Sequence, residues 1–286
     1  MNRISIRVLN LAAWFARRLP RRAIRSLYRI RPIASMLRSI LNSSAPDGLT
    51  RVSIASGALE GFQMALDLRI EKDYWLGSYE PELQDAVLDL ARPGMVAFDV
   101  GANIGYTSLL LAKAVGESGR VFAFEALPSN IARLRQNLSL NGQTSHVEIC
   151  AGAVVDRPGQ VLFIAGPSGS TGQAEGSAGR IHAQDSNLFV PGISLDSFVY
   201  SEGNPAPAIA KMDIEGGEVR ALPGMGRLLD EAGPILLLEL HGPEAAHVAW
   251  EALTSRGYRL SRMGTGYPPI TTPESLDWKA YVVARK

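Results

Sequence analysis

The residues of this chain best suited by type and spacing to do chemistry begin with Asp99-Val100-Gly101-Ala102-Asn103-Ile104-Gly105. After an amphipathic stretch they are followed by Val121-Phe122-Ala123-Phe124-Glu125. An apolar strand that runs through a glycine turn into a helix lets the backbone approach a ligand closely, and the free N–H groups of the helix favour polar or anionic atoms. A carboxylate closing the next strand suits two ribose hydroxyls. Together these residues predict a site for a nucleotide-like cofactor.

Holding such a site requires alternating strands and helices, and the sequence supplies them. Strands are expected at 95–100, 120–124, 146–150, 209–213 and 235–240, and helices at 105–115, 129–140 and 244–256. Closing strands are expected near 258–260 and 279–283. This alternation predicts a mostly parallel sheet flanked by helices. Earlier, 51–55 and 62–68 read as short strands around a Gly57–Gly61 turn, and a helix opens at Pro81. The rhythm breaks at 152–164, read as a hairpin turning at Arg157-Pro158-Gly159, and at the glycine-rich stretch 166–179, a surface loop or a lid.

The chain has 286 residues, nearly half of them apolar, enough for a full core. A single cysteine, Cys150, excludes an internal disulfide framework and a multi-cysteine metal cluster, which makes the cytoplasm the expected compartment. Its plain reading is a buried small apolar side chain. The net charge of +1 hides an asymmetry: no acidic residue precedes Asp47, while arginines recur from Arg3 to Arg38. Apolar residues at helical spacing (Ile4, Val8, Leu11, Phe15, then Ile33, Met36, Leu37, Ile40) make residues 1–46 a basic, helical N-terminal appendage to a domain at 47–286. Such helices could lie on an anionic membrane surface, which would place the protein peripherally on its inner face, or could touch RNA. The plainer reading is packing against the main domain or a homodimer partner. A short apolar run followed by arginines is not a secretory signal, and no run spans a bilayer.

The ordered blocks Gly77-Ser78-Tyr79-Glu80, Asp99 to Gly105, Phe124-Glu125, Asn137 to Gly142, Leu195-Asp196 and Lys211-Met212-Asp213-Ile214-Glu215-Gly216-Gly217-Glu218 resemble the FkbM family of methyltransferases over roughly residues 70–242. The resemblance implies an α/β, Rossmann-like class I methyltransferase fold that binds S-adenosylmethionine and methylates, usually at oxygen, a small-molecule, sugar or glycolipid hydroxyl. It does not imply a nucleic-acid partner. The arginine-rich N-terminus lies outside the shared pattern.

Within that resemblance, Gly101, Asn103 and Gly105 line the methionine and ribose side of the cofactor, and Asp99 holds the turn or meets the amino group. Glu125 accepts from the ribose, Ala153 makes room for the adenine after the third strand, and Glu80 reaches cofactor or acceptor unless it merely caps a helix. Asp213 and Glu215 stand at the carboxyl end of the fourth strand, where open parallel sheets bind ligands. One would act as general base and the other bind acceptor hydroxyls or a divalent ion, with Lys211 paired to them. Glu218 reads as a helix-opening acid. His241 could take the acceptor proton, ligate a metal with Asp213 and Glu239, or simply cap its strand. No metal is assigned. Two other classes remain open: an NAD(P)-dependent oxidoreductase, although the turn lacks Gly-x-Gly-x-x-Gly, and a membrane- or RNA-binding module without catalysis.

Overall fold

The structure is a computed structural model that describes Trp14, Arg18 and residues 45–166, 172–178 and 186–286. Of the basic N-terminal segment, Trp14 and Arg18 are helical, with the Arg18 guanidinium 5.1 Å from the Trp14 ring centroid. The other helices expected there, and residues 167–171 and 179 of the glycine-rich stretch, lie outside the described residues. The chain divides into compact units at Met1–Pro81 and Glu82–Lys286, whereas the sequence suggests a break at 46.

In the first unit β1 (Leu49–Ser53) and β2 (Gln63–Asp67) form an antiparallel ribbon, followed by α1 (Lys72–Leu76). Gly77 ends α1 in the left-handed region, and a Cβ there would fall 1.8 Å from the Ser56 carbonyl oxygen, so only glycine fits.

The second unit begins with α2 (Pro81–Leu90), β3 (Val96–Val100), α3 (Tyr106–Val115), β4 (Arg120–Glu125), α4 (Pro128–Leu140) and β5 (Val147–Ala151). After an intervening small sheet come β10 (Ile209–Met212), α5 (Glu218–Ala221), α6 (Gly226–Glu231), β11 (Ile235–His241), α7 (Pro243–Thr254), β12 (Arg259–Arg262) and β13 (Lys279–Arg285). The main sheet has the order β12-β13-β11-β10-β3-β4-β5. The β11-β10-β3-β4-β5 ladders are parallel, and β13 runs antiparallel to both β11 and β12. This is a Rossmann-like sheet, and its strand order reverses at β3 and β10. The core strands are mostly apolar because helices cover both faces, and the charged residues Asp99, Lys211, Glu125, Glu239 and His241 fall toward their carboxyl ends. Phe98, Phe122 and Phe124 meet Phe198 edge to face at ring-centroid distances of 5.1–5.7 Å.

The hairpin expected at 152–164 does not form. β6 (Ala153–Val154) and β7 (Gly159–Ala165) are separated by β9 (Ser186–Ile193) in a second sheet of order β6-β9-β7-β8, with β8 at Gln173–Ala174. A one-to-one antiparallel ladder joins β7 to β9 from Gly159↔Gly192 to Ala165↔Ser186, and this longer pairing outweighs a tight turn at Pro158.

Candidate active site

The glycine turn after β3 is built from backbone. Gly101 has φ +81°, and a Cβ there would lie 2.0 Å from the Asp213 carbonyl oxygen, so glycine allows β3 and the end of β10 to close on each other. Asn103 (φ +49°) and Gly105 (φ +94°) carry the chain into α3. The Gly101 and Ala102 N–H groups both donate to the Phe124 carbonyl, at 3.0 and 2.9 Å. Glu125, at the carboxyl end of β4, accepts from the Asn103 N–H (2.7 Å) with one oxygen and from the Leu127 N–H (2.8 Å) with the other. Burial pushes its pKa up against these bonds. The Asn130 amide also donates to the Leu127-bound oxygen at 3.5 Å, so the oxygen that takes Asn103 keeps the free lone pair. Asp99 is fully buried: its Oδ2 accepts from the Ser108 hydroxyl (2.6 Å), and its Oδ1 lies 3.5 Å from the Lys211 ammonium. That geometry fits holding the turn rather than meeting a ligand.

The carboxyl ends of β10 and β11 gather charge instead. The Lys211 Nζ donates to the Gly101 carbonyl at 2.8 Å and stands 3.9 Å from Asp213. Glu215 does not pair with Lys211. Its backbone turns through φ +54°, and its carboxylate lies 3.5 Å from His241 Nε2. The same Nε2 is 3.0 Å from Glu239, while Nδ1 is 3.8 Å from Glu218. Glu218 is fully buried and accepts from the Ile214 N–H (3.1 Å), closing the turn that carries Asp213 and Glu215. Lys279, paired in register with His241, forms an ion pair with Glu239. Asp213 Oδ1, Glu218 Oε2 and Glu239 Oε2 are buried without a hydrogen-bond partner.

These charges shift one another. Burial raises the Asp213 carboxyl to about 7, with Glu239 and Glu215 adding to the rise and Lys211 and His241 opposing it. Burial works against a charged His241, but the Glu218 and Glu239 carboxylates, with Asp213 and Glu215, raise it to about 10. Burial would also raise Glu239, yet His241 and Lys279 hold it down at about 2. Asp213, Glu239 and His241 offer ligand atoms within 4.8 Å of one another, a spacing open to a metal ion. In this structure Lys279 and His241 supply the positive charge there.

The fold thus brings Asp99, Gly101, Asn103, Gly105 and Glu125 to one turn and Asp213, Glu215 and His241 to the neighbouring strand ends. Ala153 is buried on β6 in an apolar group with Ala126, Val155 and Val161, against which Leu127 packs, so it sits by the chain leaving β4. Cys150 is only partly buried, not deep in the core, and burial still raises its thiol to about 12. Glu80 belongs to the first unit and has φ +38°. The sequence reading misses what Glu218 and Lys279 do. An acid four residues after Ile214, and a lysine opening a strand that pairs with β11, were the available signals. Part of the glycine-rich stretch also touches this region: the Ala178 N–H donates to the Gly216 carbonyl (3.0 Å), and Arg220 binds both Asp156 (2.7 Å) and the Glu175 carbonyl.

The model of the methyltransferase FkbM domain matches residues 99–260, more than half of the chain. Hexuronic acid methyltransferase AglP of Haloferax volcanii is 27% identical over 162 residues, 57% of this chain and 62% of that protein. Protein-L-isoaspartate O-methyltransferase of Aeropyrum pernix is 43% identical over 61 residues, 21% of this chain and 24% of that protein. The chain therefore spans less than two thirds of the length of these relatives. The crystal structure of the FkbM methyltransferase from Methylobacillus flagellatus aligns with a TM-score of 0.46 at 18% identity, covering 78% of this chain and 56% of that one. This chain belongs to the FkbM methyltransferase family, whose cofactor is S-adenosylmethionine.

Proposed function

We propose that this protein transfers the methyl group of S-adenosylmethionine to a hydroxyl oxygen of a small acceptor, most simply a saccharide. One observation carries the reading: Asp213, its carboxyl raised to about 7 by burial, stands against the glycine turn with an unpartnered oxygen. The residues fit the cofactor. Glu125 keeps a lone pair on Oε2 for the ribose hydroxyls, the Gly101–Gly105 turn leaves no side chain at its two glycines, and Ala126, Leu127 and Ala153 make a small apolar wall for the adenine. Likeness to a hexuronic acid methyltransferase supports a saccharide acceptor.

The bound cofactor supplies an electrophilic methyl group, so the chain must align the acceptor oxygen, exclude water and take one proton. Asp213 accepts that proton on its carboxylate. His241 cannot, because its neighbours hold it as an imidazolium at neutral pH. It instead balances Glu215, Glu218 and Glu239, and so keeps Asp213 from being neutralised by still more negative charge. Glu215, the more exposed of the two turn carboxylates, accepts from the acceptor's other hydroxyls.

Thermal unfolding with and without S-adenosylmethionine, together with mass spectrometry of a saccharide panel, tests this reading. A melting shift and a product 14 mass units heavier are expected, and an intact fold with no shift rejects it. The basic segment 1–46 is proposed as a contact with anionic membrane. Flotation with anionic vesicles is expected, and to be lost on deletion of that segment.

A further inference from the structure

We infer that Glu215 selects the acceptor by charge, and that the acceptor carries an ammonium group beside the hydroxyl to be methylated. The inference rests on the proposed methyl transfer and narrows its substrate class.

Among the acids at the ends of β10 and β11, Glu215 is the one most open to a ligand. It leaves 35% of its side chain to solvent, against 17% for Asp213, 4% for Glu239 and 0% for Glu218. The two buried glutamates act on a ligand only through their field. The turn that presents Glu215 is set by three hydrogen bonds: the Ile214 N–H donates to Glu218 at 3.1 Å, the Gly217 N–H to the Ile214 carbonyl at 3.0 Å, and the Ala178 N–H to the Gly216 carbonyl at 3.0 Å. Its carboxylate is therefore offered from a fixed backbone. Among the described residues the nearest cation to it is His241, 3.5 Å away, and that imidazole stands closer to Glu239, at 3.0 Å.

Positive charge is short here. Lys211 is shared by Asp99 and Asp213, and Glu239 takes both Lys279 and His241, so Glu215 and Glu218 are left with the remaining share of one imidazolium. A uronate would bring one more carboxylate into this group, where Lys211, His241 and Lys279 are each engaged with a carboxylate already. A neutral sugar would donate hydrogen bonds to Glu215 but leave the imbalance. An ammonium group brings three N–H donors together with the missing charge. Its nitrogen has no lone pair, so it is held rather than methylated.

The test uses the full chain saturated with S-adenosylhomocysteine, in EDTA so that no divalent ion supplies the charge, and at mildly acidic pH, where a sugar amine is protonated. Methyl β-D-glucosaminide, the matching glucoside and the matching glucuronide are titrated by calorimetry. The glucosaminide is expected to bind about tenfold or more tighter than the glucuronide, with the glucoside between them and the gap narrowing in high salt. Glu215→Gln is expected to cut the ratio of glucosaminide to glucuronide affinity by about fivefold or more, and Glu215→Asp to keep it within about threefold of the parent. A merely structural role would weaken all three sugars alike and leave the ratio unmoved. The inference is overturned if the glucuronide binds as tightly as the glucosaminide, if the glutamine variant keeps the parent's ratio, if aspartate loses it as fully as glutamine, or if the parent binds none of the three. It also falls if Glu215→Gln weakens S-adenosylmethionine but not S-adenosylhomocysteine, which would assign the carboxylate to the sulfonium. The melting shift with S-adenosylmethionine separates the two levels: its absence in the parent protein rejects methyl transfer itself, whereas an intact shift without charge selection rejects the role of Glu215 alone.

Discussion

The turn after β3 and the ends of β10 and β11 lie side by side on one sheet edge, yet they treat buried acids in opposite ways. At the turn, Glu125 is matched by backbone N–H groups and Asp99 by the Ser108 hydroxyl on one oxygen, with the Lys211 ammonium 3.5 Å from the other. At the neighbouring strand ends, Asp213, Glu215, Glu218 and Glu239 share two cations, His241 and Lys279, with Lys211 at the margin, and several oxygens are left without donors. Unpartnered buried polar atoms cost about 1–3 kcal/mol each. Such groups are commonly found where a ligand completes the set. The first region is the more nearly satisfied of the two; the second carries the larger deficit of donors.

If that contrast is sound, the substitution that harms both regions should have the largest effect. Gly101→Ala drives a Cβ into the Asp213 carbonyl and forces a β-carbon to φ +81°. It is expected to cost on the order of 3–4 kcal/mol in denaturant unfolding and to abolish the melting shift with S-adenosylmethionine.

Asp213→Asn should separate the regions. Loss of a general base predicts a fall in kcat of roughly 10²–10⁴, with cofactor affinity within about twofold. In the parent protein the rate should rise as pH passes through about 7, and the asparagine variant should lack that step. The stability effect has the opposite sign. With the folded pKa above the ordinary 3.8, the unfolded chain releases this proton first, so Asp213 lowers stability progressively from about pH 4 to 7. Comparing the pH dependence of unfolding in parent and variant isolates this contribution. Equal loss of cofactor affinity and kcat would show that the regions do not act separately.

Glu125→Ala makes the converse cut. Removing one charged partner should weaken cofactor binding about 10- to 100-fold in calorimetry and leave kcat at saturating cofactor nearly unchanged. The smallest effect is expected from Arg220→Ala, which removes the link between the Glu175 carbonyl of the Gln173–Ala178 segment and Asp156. About 1 kcal/mol of stability and a few-fold rise in acceptor KM should follow, with cofactor affinity untouched.

Much of the cradle could be read from sequence because its signals are local. Apolar runs bounded by Gly101 and Gly105, and the short distance from Asp99 to Glu125, specify strand, turn, helix and strand without knowledge of the rest. The acid-rich region depends on neighbours far apart in the chain. That Glu218 faces His241 follows only once β10 pairs with β11, and Lys279 reaches Glu239 only because β13 turns back antiparallel. β9 escaped notice for a related reason. Pro191 and Gly192 weaken its strand pattern, and its ladder to β7 supplies what local preference lacks.

The Lys211 ammonium that touches the Gly101 carbonyl crosses 110 residues of sequence. During synthesis, β3, β4 and β5 leave the ribosome well before β10, so Asp99 has no Lys211 counter-charge until that strand arrives. Folding that waits on so distant a contact is slow and exposes the half-made sheet. A nascent chain arrested before residue 211 should therefore be a chaperone client with an open β3 edge, and the cell obtains a cofactor-competent cradle only when the acid-bearing half has been made as well.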